Sequence, residues 1–170
     1  MADFAALLDA AAADPRSPAW DEIWQQSCHQ GTCAPASAVL LPLLARACAA
    51  LSLAERAKPL VFAGFVAVDA DPASRARYAA DIASLRAQAM QSLGSPDLDD
   101  LMFVYLLQAV LGFDGDEIWG KQLDRLSDGE AEPSCPACDV EMVVELSADA
   151  PITPGLSCGT RFRFGPSVAA

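Results

Sequence analysis

Histidine and basic residues are scarce in this chain. His29 is the only histidine among 170 residues, and 11 basic residues face 23 acidic ones, for a net charge of -12. One imidazole excludes a metal site built from several histidines. An acidic surface repels phosphate, which argues against nucleic acid or an anionic membrane as a partner. The same charge attracts a basic protein or peptide.

Long hydrophobic runs are also missing. The longest ones, such as L-M-F-V-Y-L-L at 101–107, are far too short for a membrane-spanning helix. The first residues carry acids and no basic leader, so we expect no signal peptide and a cytoplasmic protein. In that compartment the six cysteines should be reduced, and close pairs should bind metal before they form disulfides. Neither a phosphate-binding glycine loop nor calcium-loop spacing occurs.

Aromatic residues make up only 7% of the chain, whereas alanine and leucine dominate a hydrophobic content of 53%. This composition favours helices. Apolar residues recur at spacings of three and four through residues 1–130, which predicts a mainly α domain of stacked antiparallel helical hairpins. From residue 131 the spacing changes to two, as in D-V-E-M-V-V-E-L and T-R-F-R-F, so residues 131–170 should form a small β module.

The β module contains the clearest metal motif, S-C-P-A-C-D. Cys135 and Cys138 are spaced to hold one zinc ion, and Cys158 supplies a third thiolate. The motif resembles half of a zinc ribbon, but Gly155 stands where the second half needs a cysteine. The fourth ligand of a structural zinc would then come from His29, Cys28 or Cys33. The alternatives are a knuckle of free thiols and a redox dithiol.

The stretch S-C-H-Q-G-T-C at 27–33 is the second candidate site. Gly31 can end one helix and Thr32 can cap the next, which predicts a helix–turn–helix junction. Side chains of consecutive helical residues diverge by about 100°, so Cys28 and His29 make a poor catalytic dyad. The structural interpretation is therefore favoured over catalysis. The stretch becomes a binding site, formed by Cys28, His29, Gln30, Gly31 and Thr32, if the cysteine tail docks onto it.

Three elements together resemble a group of small bacterial proteins of unknown function. They are W-D-E-I-W-Q-Q-S-C-H-Q-G-T, A-S-A-V-L-L-P-L-L-A-R-A and the distant C-P-A-C. The resemblance implies HEAT- or armadillo-like helices and implies no reaction. Here Cys33–Ala34 replaces the larger apolar or aromatic pair expected from the group.

These observations predict a non-enzymatic scaffold that binds a basic protein or peptide, because stacked helix pairs form extended grooves. Two alternatives stay open. One is a metal-dependent enzyme or zinc-stabilised factor that uses His29 and the nearby cysteines. The other is an immunity protein that neutralises a basic toxin.

Overall fold

The computed structural model describes residues 4–29, 31–131, 135, 137–138, 140, 144–145, 152–153 and 162–163. The chain divides into two units, Met1–Leu123 and Asp124–Ala170. The described residues are mainly helical, with short antiparallel strand pairs, which confirms the predicted mainly α class. None of the helices in this described part is both long and apolar enough to cross a bilayer.

The first unit carries eight α-helices among its described residues. They are α1 (Phe4–Ala13), α2 (Ala19–Ser27), α3 (Leu41–Ala49), α4 (Ala57–Asp69), α5 (Pro72–Arg77), α6 (Ala79–Ser92), α7 (Asp100–Asp114) and α8 (Trp119–Gln122). Pro42 lies inside the apolar run 35–51, which predicts a kink or a short helix followed by a longer one. The structure has the second arrangement, because a 3₁₀ helix, Pro35–Leu40, precedes α3. A second 3₁₀ helix, Leu123–Asp128, follows α8.

Helix α4 is the centre of the core. The stretch 59–68 is apolar on every side, which predicts a helix buried all round, and nine of the residues of α4 are buried. Glycines let α7 and α8 approach one another and α4 closely. A Cβ on Gly64 would lie 2.6 Å from the Cα of Ala109, and one on Gly120 would lie 2.8 Å from the Cα of Gly112.

The helix ends show which polar residues act as caps. Asp71 followed by Pro72 predicts a helix start, and Asp71 accepts hydrogen bonds from the main-chain N–H groups of Ala73 and Ser74, so α5 begins there. Ser95 and Pro96 likewise predict the start of the next helix, α7. It begins at Asp100 instead, because Asp99 accepts from the N–H of Met102 and acts as the cap.

Arg75 joins the ends of two helices. Its guanidinium donates to the carbonyl oxygens of Ala67 in α4 and of Gly112 and Phe113 in α7. These carbonyls lie in the last turns, where the helix dipole is negative. The arginine therefore ties the C-terminal end of α4 to that of α7.

The second unit contains two antiparallel strand pairs in its described part. Strand β3 (Glu130–Ala131) pairs with β4 (Val144–Glu145), and β5 (Ile152–Thr153) pairs with β6 (Phe162–Arg163). The alternating stretches predict strands at 140–146 and 158–164, which can either pair directly or be separated by a strand within residues 148–154. The register Ile152↔Arg163 corresponds to the second.

Candidate functional site

The stretch S-C-H-Q-G-T-C forms a β-hairpin, so the predicted helix–turn–helix junction is wrong. Helix α2 ends at Ser27 because Cys28 adopts an extended conformation. Strands β1 (Cys28–His29) and β2 (Thr32–Cys33) then pair with the register Cys28↔Cys33 and His29↔Thr32. Gly31 has the expected positive φ of 77°, but this φ forms the hairpin turn and does not end a helix. Thr32 lies in a strand and caps no helix.

A disulfide joins Cys28 to Cys33 across this hairpin, with 3.9 Å between their Cα atoms. The expectation of reduced cysteines is therefore wrong for this pair. A directly opposite register brings the two side chains together, which a helical junction would not do. Both residues are buried, whereas His29, Gly31 and Thr32 are exposed at the tip. Gln30 lies outside the described residues.

The hairpin is anchored to α4. The main-chain N–H of Cys33 donates to Oδ2 of Asp69 at 2.7 Å, and Oδ1 of the same carboxylate pairs with Nζ of Lys121. Gly31 faces Phe65, whose Cε1 would lie 3.9 Å from a Cβ added to the glycine. A carboxylate in the last turn of a helix opposes the helix dipole, so Lys121 and the N–H of Cys33 stabilise Asp69 there.

The predicted zinc ligands are only partly described. The N–H of Cys138 donates to the carbonyl oxygen of Cys135 at 3.4 Å, which closes a tight turn. Cys135 is buried and Cys138 is exposed, while Cys158 lies outside the described residues. Among the residues that the structure describes, no three histidine, cysteine or acidic side chains group around a metal position. Zinc binding stays a prediction.

A cleft that the sequence analysis missed lies between the α1–α2 region and the start of α4. Its volume is about 410 Å³. One wall comes from residues 15–24 and the other from residues 51–62. The lining residues are Pro15, Arg16, Ser17, Pro18, Trp20, Asp21, Trp24, Leu51, Glu55, Lys58, Pro59 and Phe62.

Aromatic rings connect this cleft to the hairpin. Trp24 stacks on Phe62 with ring centres 5.1 Å apart, and it lies 6.4 Å from the ring of Phe65. Phe65 in turn faces Gly31. The helical spacing of Trp20 and Trp24 predicts that they are core anchors; they are partly buried and line the cleft as well. Two prolines, Pro15 and Pro18, lie within nine residues of both tryptophans and were the available signal for an irregular wall beside them.

Two ion pairs cross the cleft. Arg16 on the first wall donates to both carboxylate oxygens of Glu55 on the second, at 2.7 and 3.1 Å. The opposite arrangement holds for Asp21 on the first wall and Lys58 on the second. The Arg16 guanidinium, with Ser52, lowers the pKa of Glu55 to about 2, and Glu55 raises the pKa of Arg16. Both charges of that pair therefore persist over the physiological pH range.

The connection between α6 and α7 and the helix ends beside it expose apolar and acidic side chains. Met90, Leu101 and Phe103 are 50%, 53% and 41% exposed. Three acids, Asp97, Asp99 and Asp100, are exposed beside them in the sequence. No lysine, arginine or histidine occurs from residue 87 to residue 120. We call these six residues the α7 surface.

Cys48 is the remaining described thiol of the helical unit, and its surroundings make it inert. It is fully buried, and that burial raises its pKa to about 12, although Arg56 acts in the opposite direction. The thiolate is the reactive form of cysteine, so Cys48 is not a nucleophile at neutral pH. It serves as a small apolar group in the core.

Comparison with known protein families, with curated proteins and with solved structures gave no match. The resemblance to the small bacterial helical proteins therefore stays a prediction.

Proposed function

We propose that the helical unit is a non-enzymatic module that binds a basic amphipathic helix of another protein on the α7 surface. The observation that carries this proposal is the combination of three exposed apolar side chains with three exposed acids in a segment without any basic residue. Isolated exposed apolar residues are common on protein surfaces, whereas a contiguous group is typical of an interaction site, and we propose that these three act as one.

The apolar part of the α7 surface lies at one end of a helical hairpin. Met90 belongs to the last turn of α6, and Leu101 and Phe103 belong to the first turn of α7. An amphipathic helix binds such a region through apolar side chains spaced three and four apart. Methionine suits this role because its unbranched side chain adapts to different partners.

The acids select the charge of the partner. Asp97, Asp99 and Asp100 add to a net charge of -12. Unbalanced acids produce a negative potential, which accelerates association with a cationic helix and repels an anionic one. A basic toxin, the partner of an immunity protein, is one such ligand and stays a prediction.

We also propose that the helices are stacked in the HEAT or armadillo manner. Helix α3 packs against α4 and α6 against α7, and contacts also join α3 to α6 and α4 to α7. Two antiparallel hairpins laid side by side produce this set of contacts. The metal-dependent alternative, which uses His29 with Cys28 and Cys33, stays a prediction.

The test uses a fluorescent synthetic helix with leucines on one face and lysines on the other. We expect it to bind the full chain and to bind more weakly as salt is added, because salt screens the acids. A matched peptide with glutamate in place of lysine should not bind. Leu101→Ser combined with Phe103→Ser should weaken the lysine peptide about tenfold, equivalent to ~1.4 kcal/mol.

The matched control is Val39→Ser, since Val39 is 60% exposed and lies outside the α7 surface. It should leave the affinity unchanged. Equal affinity of the native chain and the Leu101/Phe103 variant would show attraction by net charge alone and would refute the proposed surface. Absence of binding at low salt would refute it as well.

A further inference from the structure

We infer that the cleft between residues 15–24 and 51–62 is a binding site for a free α-amino acid with an aromatic side chain. This site lies apart from the α7 surface in the sequence and does not depend on the function proposed for it. Its volume of about 410 Å³ lies within the range of about 300–1,000 Å³ found for small-molecule sites. Such sites combine an apolar lining with a few polar groups that orient the ligand.

The apolar lining favours a flat ring. Trp20, Trp24 and Phe62 line the cleft, and Trp24 and Phe62 are already stacked with 14° between their planes. Aromatic pairs in offset or edge-to-face contact gain free energy beyond the area that they bury. A ligand ring can extend this stack, which an aliphatic side chain cannot do. The lining therefore distinguishes phenylalanine from leucine.

The charges at the opening suit a ligand with one ammonium and one carboxylate group. Asp21 and Lys58 face each other from opposite walls, and their side chains are 58% and 60% exposed. The pair uses Oδ1 of Asp21 and one hydrogen of the Lys58 ammonium; within the described part of the chain, Oδ2 and the other hydrogens have no partner. The ligand ammonium can bind Oδ2, and its carboxylate can bind Lys58, without breaking the pair.

The second ion pair has a different role, because the Glu55 carboxylate already accepts three hydrogen bonds. Both oxygens of Glu55 accept from Arg16, and Oε2 also accepts from the N–H of Ser52 at 3.0 Å. A ligand would have to displace these hydrogen bonds. Arg16 and Glu55 therefore hold the two walls at a fixed separation, and Asp21 and Lys58 recognise the ligand.

The experiment titrates the full chain with L-phenylalanine and follows binding by calorimetry and by tryptophan fluorescence. Phenylalanine does not interfere with tryptophan emission. A Trp119→Phe background leaves Trp20 and Trp24 as the only tryptophans, since the sequence has three. We expect saturable binding with a fluorescence change. Phenylacetate and phenethylamine, which each lack one charged group, should bind about tenfold more weakly.

Variants assign the recognition groups. Asp21→Asn and Lys58→Gln should each lower the affinity for phenylalanine about tenfold. The matched control is Arg86→Gln, because Arg86 forms a comparable exposed pair with Asp114 outside the cleft. It should leave the affinity unchanged, and circular dichroism should confirm that each variant is folded.

Three outcomes would overturn the assignment. A Kd for phenylalanine weaker than about 10 mM would show that the cleft is no amino-acid site. Equal affinities of phenylalanine, phenylacetate and phenethylamine would show an apolar pocket without charge recognition. Unchanged affinity in both the Asp21 and the Lys58 variants would place the ligand elsewhere on the chain.

Discussion

The cleft and the α7 surface differ in how they use acidic residues. In the cleft, Glu55 and Asp21 each face a cation on the opposite wall. On the α7 surface, three exposed aspartates stand in a segment with no cation between residues 87 and 120. The chain has 23 acidic and 11 basic residues, and the basic residues are therefore distributed unevenly between these two regions. The difference separates the proposed site for a small zwitterion from the proposed surface for a cationic partner.

The physical consequences of the two arrangements also differ. Exposed ion pairs contribute only about 0–1 kcal/mol to stability, so the Asp21–Lys58 pair can adjust to a ligand at low cost. The acids of the α7 surface, which form no ion pair within the described part of the chain, contribute to an electrostatic potential that extends over about a Debye length, ~8 Å at physiological ionic strength. Binding on the α7 surface should therefore depend strongly on salt, and binding in the cleft should depend on it less.

The largest effect should come from a change that damages both regions. Helix α4 contributes a wall of the cleft and packs against α7, and Gly64 lies at their contact. In Gly64→Val the new Cβ would lie 2.6 Å from the Cα of Ala109. Overpacking at a backbone contact should lower the free energy of unfolding by about 3 kcal/mol, as measured by urea denaturation.

Gly94→Ala is the matched control for this substitution. A Cβ there would lie 3.4 Å from its nearest neighbour, the carbonyl oxygen of Gln91. Its effect should stay within about 0.5 kcal/mol. Equal stability of the Gly64 and Gly94 variants would contradict the close approach of α4 and α7.

Reduction of the Cys28–Cys33 disulfide should affect the cleft more than the α7 surface. The bond closes a loop with a sequence separation of 5. Loss of such a short cross-link should cost about 2 kcal/mol, equivalent to a fall in Tm of roughly 4–8 °C. Phenylalanine binding should also weaken, because the hairpin contacts Phe65 behind Trp24. Binding of the lysine peptide should not change.

The control for reduction is the double variant Cys28→Ala and Cys33→Ala, whose Tm a reductant should not alter. Iodoacetamide should leave Cys48 unmodified in the folded protein, because its pKa is raised to about 12 by burial. A native chain whose mass shows both Cys28 and Cys33 as thiols under oxidising conditions would exclude the disulfide.

The smallest expected effect is the loss of stability at low pH through the Arg16–Glu55 pair. Arg16 lowers the pKa of Glu55 from 4.5 to about 2. A lowered carboxyl pKa stabilises the folded state above the unfolded value, so this stabilisation is present above pH 4.5 and is lost as the pH falls towards 2. Between these values the native chain should lose more stability than Glu55→Gln does. Parallel curves of Tm against pH for the two chains would show that the pair across the cleft does not form in solution.

The periodicity of apolar residues predicted the helices of the first unit well, but it did not predict where a non-helical segment such as the hairpin interrupts them. Spacings of three and four indicated helices such as α4, and Asp71 with Pro72 correctly marked the start of α5. The stretch S-C-H-Q-G-T-C was misjudged because Gly31 can serve a helix end or a hairpin turn equally well. The choice depends on the contacts of Cys33 with Asp69, which is 36 residues away.

The cleft was not foreseen for a similar reason. Its two walls are separated by almost thirty residues, and Arg16–Glu55 and Asp21–Lys58 are pairs across that gap. The helical spacing of Trp20 and Trp24 indicated a buried stripe, but periodicity does not show which side of each ring stays free of contact with other side chains. The acidity of the α7 segment, in contrast, was already visible in its composition.

By itself the sequence determined the helical class, the acidic character and the buried position of α4, because each follows from composition or from short-range spacing along one segment. The tertiary structure alone decided the disulfide hairpin, the aromatic cleft and the ion pairs that cross it. The cleft and its ion pairs join residues far apart in the chain, and the hairpin is bound to Asp69, which is 36 residues from Cys33. Such contacts exist only after α4 has packed against the α1–α2 region and against the hairpin.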